Sequence, residues 1–447
     1  MTWPAYPRYI RSGIEWLGDV PSEWAVDRLK QSVLRGQNGV WGDEPDGGPD
    51  DIRCVRVADF DRPHLRIQDR DITYRKVSSS DRRGRVLEPG NLILEKSGGG
   101  EKSPVGFVVL YDKGEPAVCS NFVAKVTLRP GMNPRYWTYV HHSLYHSRLT
   151  QPSIKQTSGI QNLDQQSYFN ERVCFPPEDE QTSIADFLDR ETAKIDALIA
   201  KQGQLIATLR EDRTATITHA VTKGLNPDVE MKDSGVELLG EIPRVWSVRP
   251  FLRCVDGRVD YRGATPKKVD DGVLLITARN VRPGWIDYTI SEEYVSADEY
   301  GEIMRRGLPE VGDLLFTMEA PLGNAALVDR TDIALAQRII KFRPDPRVVH
   351  RKFLLYAVIA ESFQAQLVAR ATGSTALGLK ASKLPELQLV VPDIREQRRI
   401  AGFLDERCAR IEALINKANE VIDMLREYRS ALITDAVTGK IDVRGAA

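Results

Sequence analysis

The sequence predicts an α+β protein: two mixed α/β domains separated by two long helices packed as an antiparallel coiled coil, with a pseudo-two-fold internal repeat. Three observations predict it. The stretch "EQTSIADFLDRETAKIDALI" from Glu180 recurs as "EQRRIAGFLDERCARIEALI" from Glu396, identical at more than half of its positions. "LREDRTATITHAVT" from Leu209 returns at the same offset as "LREYRSALITDAVT" from Leu425. "SGIEWLGDVPSEW" from Ser12 returns at nearly the same offset as "SGVELLGEIPRVW" from Ser234. Self-similarity at one long spacing marks a duplicated structural unit. The plan is therefore domain 1–177, helical region and linker 178–233, domain 234–392, helical region 393–447.

The helical regions follow from periodicity. In the second, Ile400, Leu404, Ile411, Leu414, Ala418, Val421, Leu425, Tyr428 and Leu432 fall on three- and four-residue steps. In the first, Ile184, Leu188, Ile195, Leu198, Leu205 and Leu209 repeat the pattern. Apolar residues at such spacing, with charges between them, specify a coiled-coil seam. Each run begins after proline (Pro176 and Pro177; Pro392) and ends near glycine (Gly224; Gly439), the usual punctuation of helices. Some 40 residues at 1.5 Å each make a rod of roughly 60 Å.

In the domains, β-rich runs such as "GFVVLYD", "FVAKVTL", "GDLLFTM" and "RIIKFRP" alternate with Gly/Pro turns. A helical stretch follows in each: "YWTYVHHSLYHSRL" in one, "FLLYAVIAESFQAQLV" in the other. "PGNLIL" from Pro89 corresponds to "VGDLLF" from Val311, while the interiors share little identity. Two sockets of one shape hold two different interiors.

Composition narrows the class. At 447 residues the chain exceeds one ordinary core. The start, "MTWPAYPRYIRSGIEW", has no apolar run, so neither signal peptide nor membrane anchor is predicted there. Five cysteines stand singly (Cys54, Cys119, Cys174, Cys254, Cys408), which predicts a reducing cytoplasm and neither disulfides nor zinc. A net charge of −1 gives no summed field for nucleic acid, so any such binding must come from local patches. No catalytic pattern survives inspection. "SGGGEKS" resembles a phosphate loop, but Glu101 stands where the glycine before the lysine belongs. His142 and His146 are spaced as a metal pair, with no third ligand in view. No metal and no catalytic residue are predicted.

At these residues the chain resembles the specificity subunits of Type I restriction–modification systems. The resemblance rests on "GIEWLGDVPSEW", "GATPKK" at Gly263–Lys268, "GDLLFTMEAPLGNAALV" from Gly312, and the paired "EQ…I…FLD…I…LI" helices ending in "AVTKG" and "AVTGK". It implies a non-catalytic scaffold for double-stranded DNA, with the domains as target-recognition domains each reading half of a bipartite target. It also implies that the helices set the spacing and dock two methyltransferase subunits, which motor–nuclease subunits join. The cofactors it implies, S-adenosylmethionine, ATP and Mg, belong to those partners and not to this chain. One departure is "GDEPDGG" around Pro45, where the second domain has "GATPKK".

Phosphate contacts position a protein and base-edge contacts specify sequence. In the first domain the candidates are Arg75, Lys76, Arg82, Arg83 and Arg85, then Lys155, Gln156, Thr157 and Asn162. In the second they are Arg262, Thr265, Lys267 and Lys268; Arg279 and Asn280; and Arg370, Thr372, Ser374, Lys380 and Lys383. The rival reading is a coiled-coil adaptor that assembles proteins and ignores DNA.

Overall fold

The structure, a computed structural model, describes residues 3–157, 159–261, 266–373 and 377–445. Its packing separates two compact units, and neither follows the plan of consecutive regions. One comprises residues 1–202 with 420–447; the other is 203–419. Each unit therefore holds the start of one long helix and the end of the other.

The two units repeat one frame. In the first, an antiparallel sheet runs Val108–Leu110, Leu92–Glu95, Val123–Leu128, Val33–Asn38. In the second the same order reads Leu322–Leu327, Leu314–Met318, Ile339–Pro344, Val255–Asp260. Beside each lies a three-stranded sheet with one parallel pair: Ala117–Cys119 on Asp51–Val55, and Ile333–Leu335 on Val273–Ile276. The strands Leu92–Glu95 and Leu314–Met318 are buried at every position, which is why they read as near-continuous apolar runs, with Glu95 and Thr317 as their polar members, rather than alternations.

The helical stretches differ between units. Pro134–His146 is one helix, with proline at its first position and Asn133 Oδ1 accepting from the Arg135 and Tyr136 amides. The second stretch, read from sequence as one helix, breaks at Ala360 into Arg351–Ile359 and Glu361–Arg370, because Ala360 adopts extended backbone.

The long helices are Glu178–Lys223 and Ile394–Val437. In the first unit the start of the former packs with the end of the latter: Ile184, Leu188 and Ile195 share a core with Leu432, Ile433, Ala436 and Val437. In the second unit Ile217, Ala220 and Val221 share a core with Ile400, Leu404 and Cys408. The polarity is antiparallel in both.

The packed stripe departs from the predicted seam at four residues. Leu198, Leu205, Leu414 and Tyr428 are exposed, at 46–54% of their full surface. Their neighbours Ile206 and Ile415 are buried, and so is Arg429. Where two consecutive residues could serve, periodicity alone chose the wrong one. At 428–429 it chose the aromatic. The buried residue is an arginine whose guanidinium pairs with Asp196 (3.1 Å) and donates to the Pro63 carbonyl (2.6 Å). Leu209, Val421 and Leu425 are half-buried.

Polar groups fasten each helix start to its own domain, and they fall in the duplicated motif. Gln181 Oε1 accepts from the Asn133 amide (3.0 Å) and Trp137 Nε1 (3.1 Å), while its Nε2 donates to the Pro176 carbonyl. Gln397 does likewise with the His350 amide (2.7 Å) and the Pro392 carbonyl (2.9 Å). Asp189 binds Tyr139 and Arg135, both at 2.7 Å; Asp405 binds Tyr356 (2.9 Å) and Lys352 (2.5 Å). The helix ends are met by the other duplicated motif. A Cβ on Gly439 would strike Pro21 and Trp24, and one on Gly224 would crowd Trp246. Both glycines take positive φ, so they close the helices as well as admit these rings.

His141 and His142 lie in the first core rather than at a metal site. Tyr168 Oη is 2.6 Å from His141 Nδ1, and neither nitrogen of His142 has a partner. Burial holds His141 down to about 3 and His142 well below the usual range, the latter helped by His146 and Arg429. Both are thus neutral when folded and take up protons on unfolding, so stability is complete above about pH 6.5 and falls as pH drops below it. At pH 5, His141 alone costs about 2 kcal/mol. Thermal unfolding followed from pH 7.5 to 5 should show this loss, and His141→Phe should lessen it.

Candidate nucleic-acid interface

In the first unit the structure joins the glycine-rich "SGGGEKS" turn to the candidate stretch at 155–162, far from it in sequence. Ser97–Gly98 pairs with Ile160–Leu163, which pairs with Ile154–Thr157, forming a small antiparallel sheet. Lys155 faces Asn162 across it, and Gln156 faces Gln161. Asn162 Oδ1 accepts from Ser97 Oγ (2.7 Å), and Lys155 Nζ is paired with Asp164 (2.7 Å). Lys155, Gln156 and Asn162 are exposed.

This sheet borders an open cleft of about 430 Å³, lined by Trp41, Glu95, Ser97, Gly98, Gly99 and Phe122 among others. Trp41 and Phe122 expose 38% and 46% of their surfaces, a large apolar share for side chains in fixed positions. The Phe122 carbonyl accepts from both the Lys96 and Ser97 amides at 3.0 Å, so its backbone is held while its ring stays open. Glu95 is only 2% exposed. Burial pushes its carboxyl above the usual range, and Arg62, at 2.6 Å, partly offsets this.

Several candidates serve the fold instead. Arg75 is buried: its guanidinium lies 4.5 Å from the centre of the Trp41 ring, donates to the carbonyls of Trp41 (3.3 Å) and Gly42 (3.2 Å), and pairs with Glu44. Lys76 pairs with Asp46 (2.6 Å). The acidic loop around Pro45 thus pairs with both cations of the basic strand at 74–76. Arg82 donates to the Val77 carbonyl (2.8 Å), and Arg85 to those of Asn38 (3.2 Å) and Asp81 (2.7 Å). Asn280 is wholly buried; it accepts from Thr277 and donates to the carbonyls of Asp287 and Ser291. Arg370 and Lys383 both pair with Glu386.

The rest are open or outside. Arg83, Lys267, Arg279 and Lys380 are exposed, and none has an ion pair or side-chain hydrogen bond to a described residue. Lys268 pairs with Glu293 (2.9 Å). Thr372 is exposed, its backbone bridged to Gly378. Arg262, Thr265 and Ser374 lie outside the described residues, and of Thr157 only the backbone, in strand Ile154–Thr157, is described. Sequence reasoning missed Trp41, Phe122 and the role of Glu95. An aromatic opening a predicted strand gave no sign that its ring would stay uncovered.

Among the described residues no three His, Cys, Asp or Glu side chains gather as a metal site, and no helix is long and apolar enough to cross a membrane. Two sockets of one frame, each packed against both long helices and bordered by different loops, define a duplicated scaffold. Comparison with known proteins says what it is similar to. Residues 295–423 match the Type I restriction modification DNA specificity domain. The MjaVIII specificity subunit of Methanocaldococcus jannaschii is 24% identical over 316 residues, covering 68% of this chain and 70% of that protein. The EcoBI specificity subunit of Escherichia coli is 22% identical over 338 residues, covering 73% and 70%. Among solved structures, a chain from a study of assembly and conformational transition in the type I R-M system superposes with a TM-score of 0.67 at 15% identity, covering 94% of this chain and 98% of that one. The HsdS subunit of Thermoanaerobacter tengcongensis gives 0.50 at 14% identity, with the same coverage. The chain is thus similar in sequence to specificity subunits of Type I restriction–modification systems, and its second half carries their DNA specificity domain.

Arg83 is open to solvent whereas Arg82 is tied to the Val77 carbonyl, so these two neighbours distinguish the candidate role from a folding one. Arg83→Ala should reduce the salt slope of DNA binding by the complex by about one, uniformly across sequences. Arg82→Ala should leave that slope unchanged and lower the melting temperature. Asn280→Ala should cost about 1–3 kcal/mol of folding stability, because it strips partners from buried groups. Salt titrations and thermal melts of the three variants check this.

Proposed function

We propose that this chain is the non-catalytic DNA-reading subunit of a Type I restriction–modification complex. Each unit reads one half of a bipartite target in double-stranded DNA. The paired long helices form a coiled coil that sets the gap between half-sites and docks two methyltransferase subunits, which motor–nuclease subunits join. S-adenosylmethionine, ATP and Mg serve those partners. The observation that carries this reading is the repetition of one frame with unlike borders. The strand order and the helix fastenings are shared, whereas a Glu95 cleft in one unit corresponds to a Thr317 closed by its own turn in the other.

The long helices also support the docking role. Leu198 and Leu205 on the first, and Phe403, Leu414, Met424 and Tyr428 on the second, are exposed. Their spacings of seven, eleven, ten and four keep each set on one side of its helix. Apolar residues aligned on an exposed face mark a surface for a protein partner. Changing Leu414 and Met424 to Glu should leave the chain folded and abolish co-purification with its methyltransferase subunits. Retained co-purification would remove this face from the docking role.

The spacing role has its own test. Seven residues inserted in each long helix, near Gln202 and Ala418, keep the seam in register and lengthen each rod by about 10 Å. At about 3.4 Å per base pair, the preferred gap should grow by at most about three base pairs. Selection of methylated sites from a library with randomised spacers measures this. An active variant that keeps the original gap would reduce the helices to a docking surface, and absence of sequence-specific methylation by the wild-type complex would favour the adaptor reading.

A further inference from the structure

We propose that Glu95 is a specificity-determining acceptor, whose carboxylate at the floor of the first unit's cleft takes the exocyclic amino group of one adenine or cytosine in the target. This rests on the DNA-reading function above and deepens it.

A buried carboxylate needs donors. Among the described residues Arg62 is the one side chain that donates to Glu95, and it reaches Oε2. Arg62 is itself held over the Phe107 ring, 4.6 Å from its centre, so the pair is fixed and Oε1 remains for a second donor. An ionised carboxylate only accepts. In the major groove the donors are the amino groups of adenine and cytosine, whereas guanine O6 and thymine O4 would repel it.

The walls suit a base edge. Trp41 and Phe122 offer two apolar rings, the first backed by Arg75 and the second anchored by its carbonyl. Gly98 and Gly99 have φ of 112° and 55°, conformations that favour glycine. A Cβ on Gly99 would fall 2.9 Å from Val105, and at Gly98 no atom lies nearer than Phe122 at 4.0 Å. The backbone there can approach a ligand closely. Asn162 and Gln156, from the adjoining sheet, are exposed beside it.

The repeat supplies the contrast. Thr317 occupies the position of Glu95 in the equivalent strand, and it too is wholly buried. Its hydroxyl accepts from the Asn324 amide (3.0 Å) and donates to the Asn324 carbonyl (3.3 Å), which commits its proton and one lone pair within its own turn. One frame thus presents an unfinished acceptor in one socket and a closed hydroxyl in the other.

The test uses the complete complex of this chain with its methyltransferase subunits, and reads methylation of a randomised DNA library. The wild type should yield a bipartite motif; if it yields none, the DNA-reading function itself fails and not this assignment alone. Given the motif, Glu95→Gln should relax one position in one half-site by about ten-fold or more and leave the other half unchanged. Phe122→Ala, an open rim residue whose loss spares the core, should weaken methylation at that same position. Arg62→Gln should keep the base preference. Oligonucleotides carrying purine for adenine, or 2-pyrimidinone for cytosine, lack the amino group. Such a probe at the affected position should cost the wild type about ten-fold and cost Glu95→Gln little, and the probe that does so names the base.

Three results would overturn the assignment. One is a uniform loss of methylation in Glu95→Gln and Arg62→Gln with the motif intact, which is what a purely structural ion pair predicts. Another is an amino-deleted probe that costs wild type and Glu95→Gln alike. The third is a Phe122→Ala variant that changes nothing, and this also decides the matter if Glu95→Gln does not fold.

Discussion

Two buried glutamine amides hold the arrangement on which the rest depends. Apolar burial drives the long helices onto their domains, but it is not directional, and a narrow stripe tolerates rotation or sliding by a turn. Gln181 and Gln397 remove that freedom. Each accepts from the backbone amide just before its domain's own helix and donates to the proline carbonyl just before the long helix. Moving either helix by one residue would leave buried donors and acceptors without partners, at about 1–3 kcal/mol each. Asp189 and Asp405, two turns further on, repeat the constraint with a tyrosine and a cation apiece. The duplicated "EQ" and "FLD" are therefore fastenings, and the identity between the halves gathers where geometry is least forgiving.

The same logic explains what the halves do not share. A frame fixed by amides, carboxylates and the Trp–Gly contacts at helix ends can change its border loops without losing register. The first unit carries a hairpin sheet beside an apolar cleft; the equivalent strand of the second ends in a closed turn at Thr317 and Asn324. Separating the fastened frame from its borders lets the border loops of the two units differ while the frame stays intact.

The sequence made some of this legible and hid the rest for definite reasons. The repeat, the buried strands and the long helices could be read because their signals are local: identity at fixed offset, apolar runs, and three–four spacing between proline and glycine. The seam was readable only in part. At Leu414/Ile415 and Tyr428/Arg429 two adjacent residues competed, and the choice was made by the surface opposite, which no local pattern contains. Candidate DNA contacts suffered more. Arg75 looked available until Glu44 and Trp41 met it, and Asn280 until Ser291 and Asp287 did. A basic run shows that cations are present, not whether a distant loop has already paired them. The cleft at Glu95 was invisible for the same reason, since its walls come from four separate stretches.

That internal pairing bears on how a chain of net charge −1 can serve DNA at all. Counterion release scales with the number of phosphates neutralised, and it supplies most non-specific affinity. Here Lys76, Lys155, Lys268, Arg370 and Lys383 each sit beside a carboxylate, whereas Arg83, Lys267, Arg279 and Lys380 stay open. A reader whose candidate basic groups are partly neutralised in this way contributes less sequence-independent attraction than its cation count alone implies. Its discrimination rests on a handful of base contacts, each worth about 1–3 kcal/mol. Weak background binding preserves that discrimination, because competing sites are numerous and affinity for all of them would dilute it.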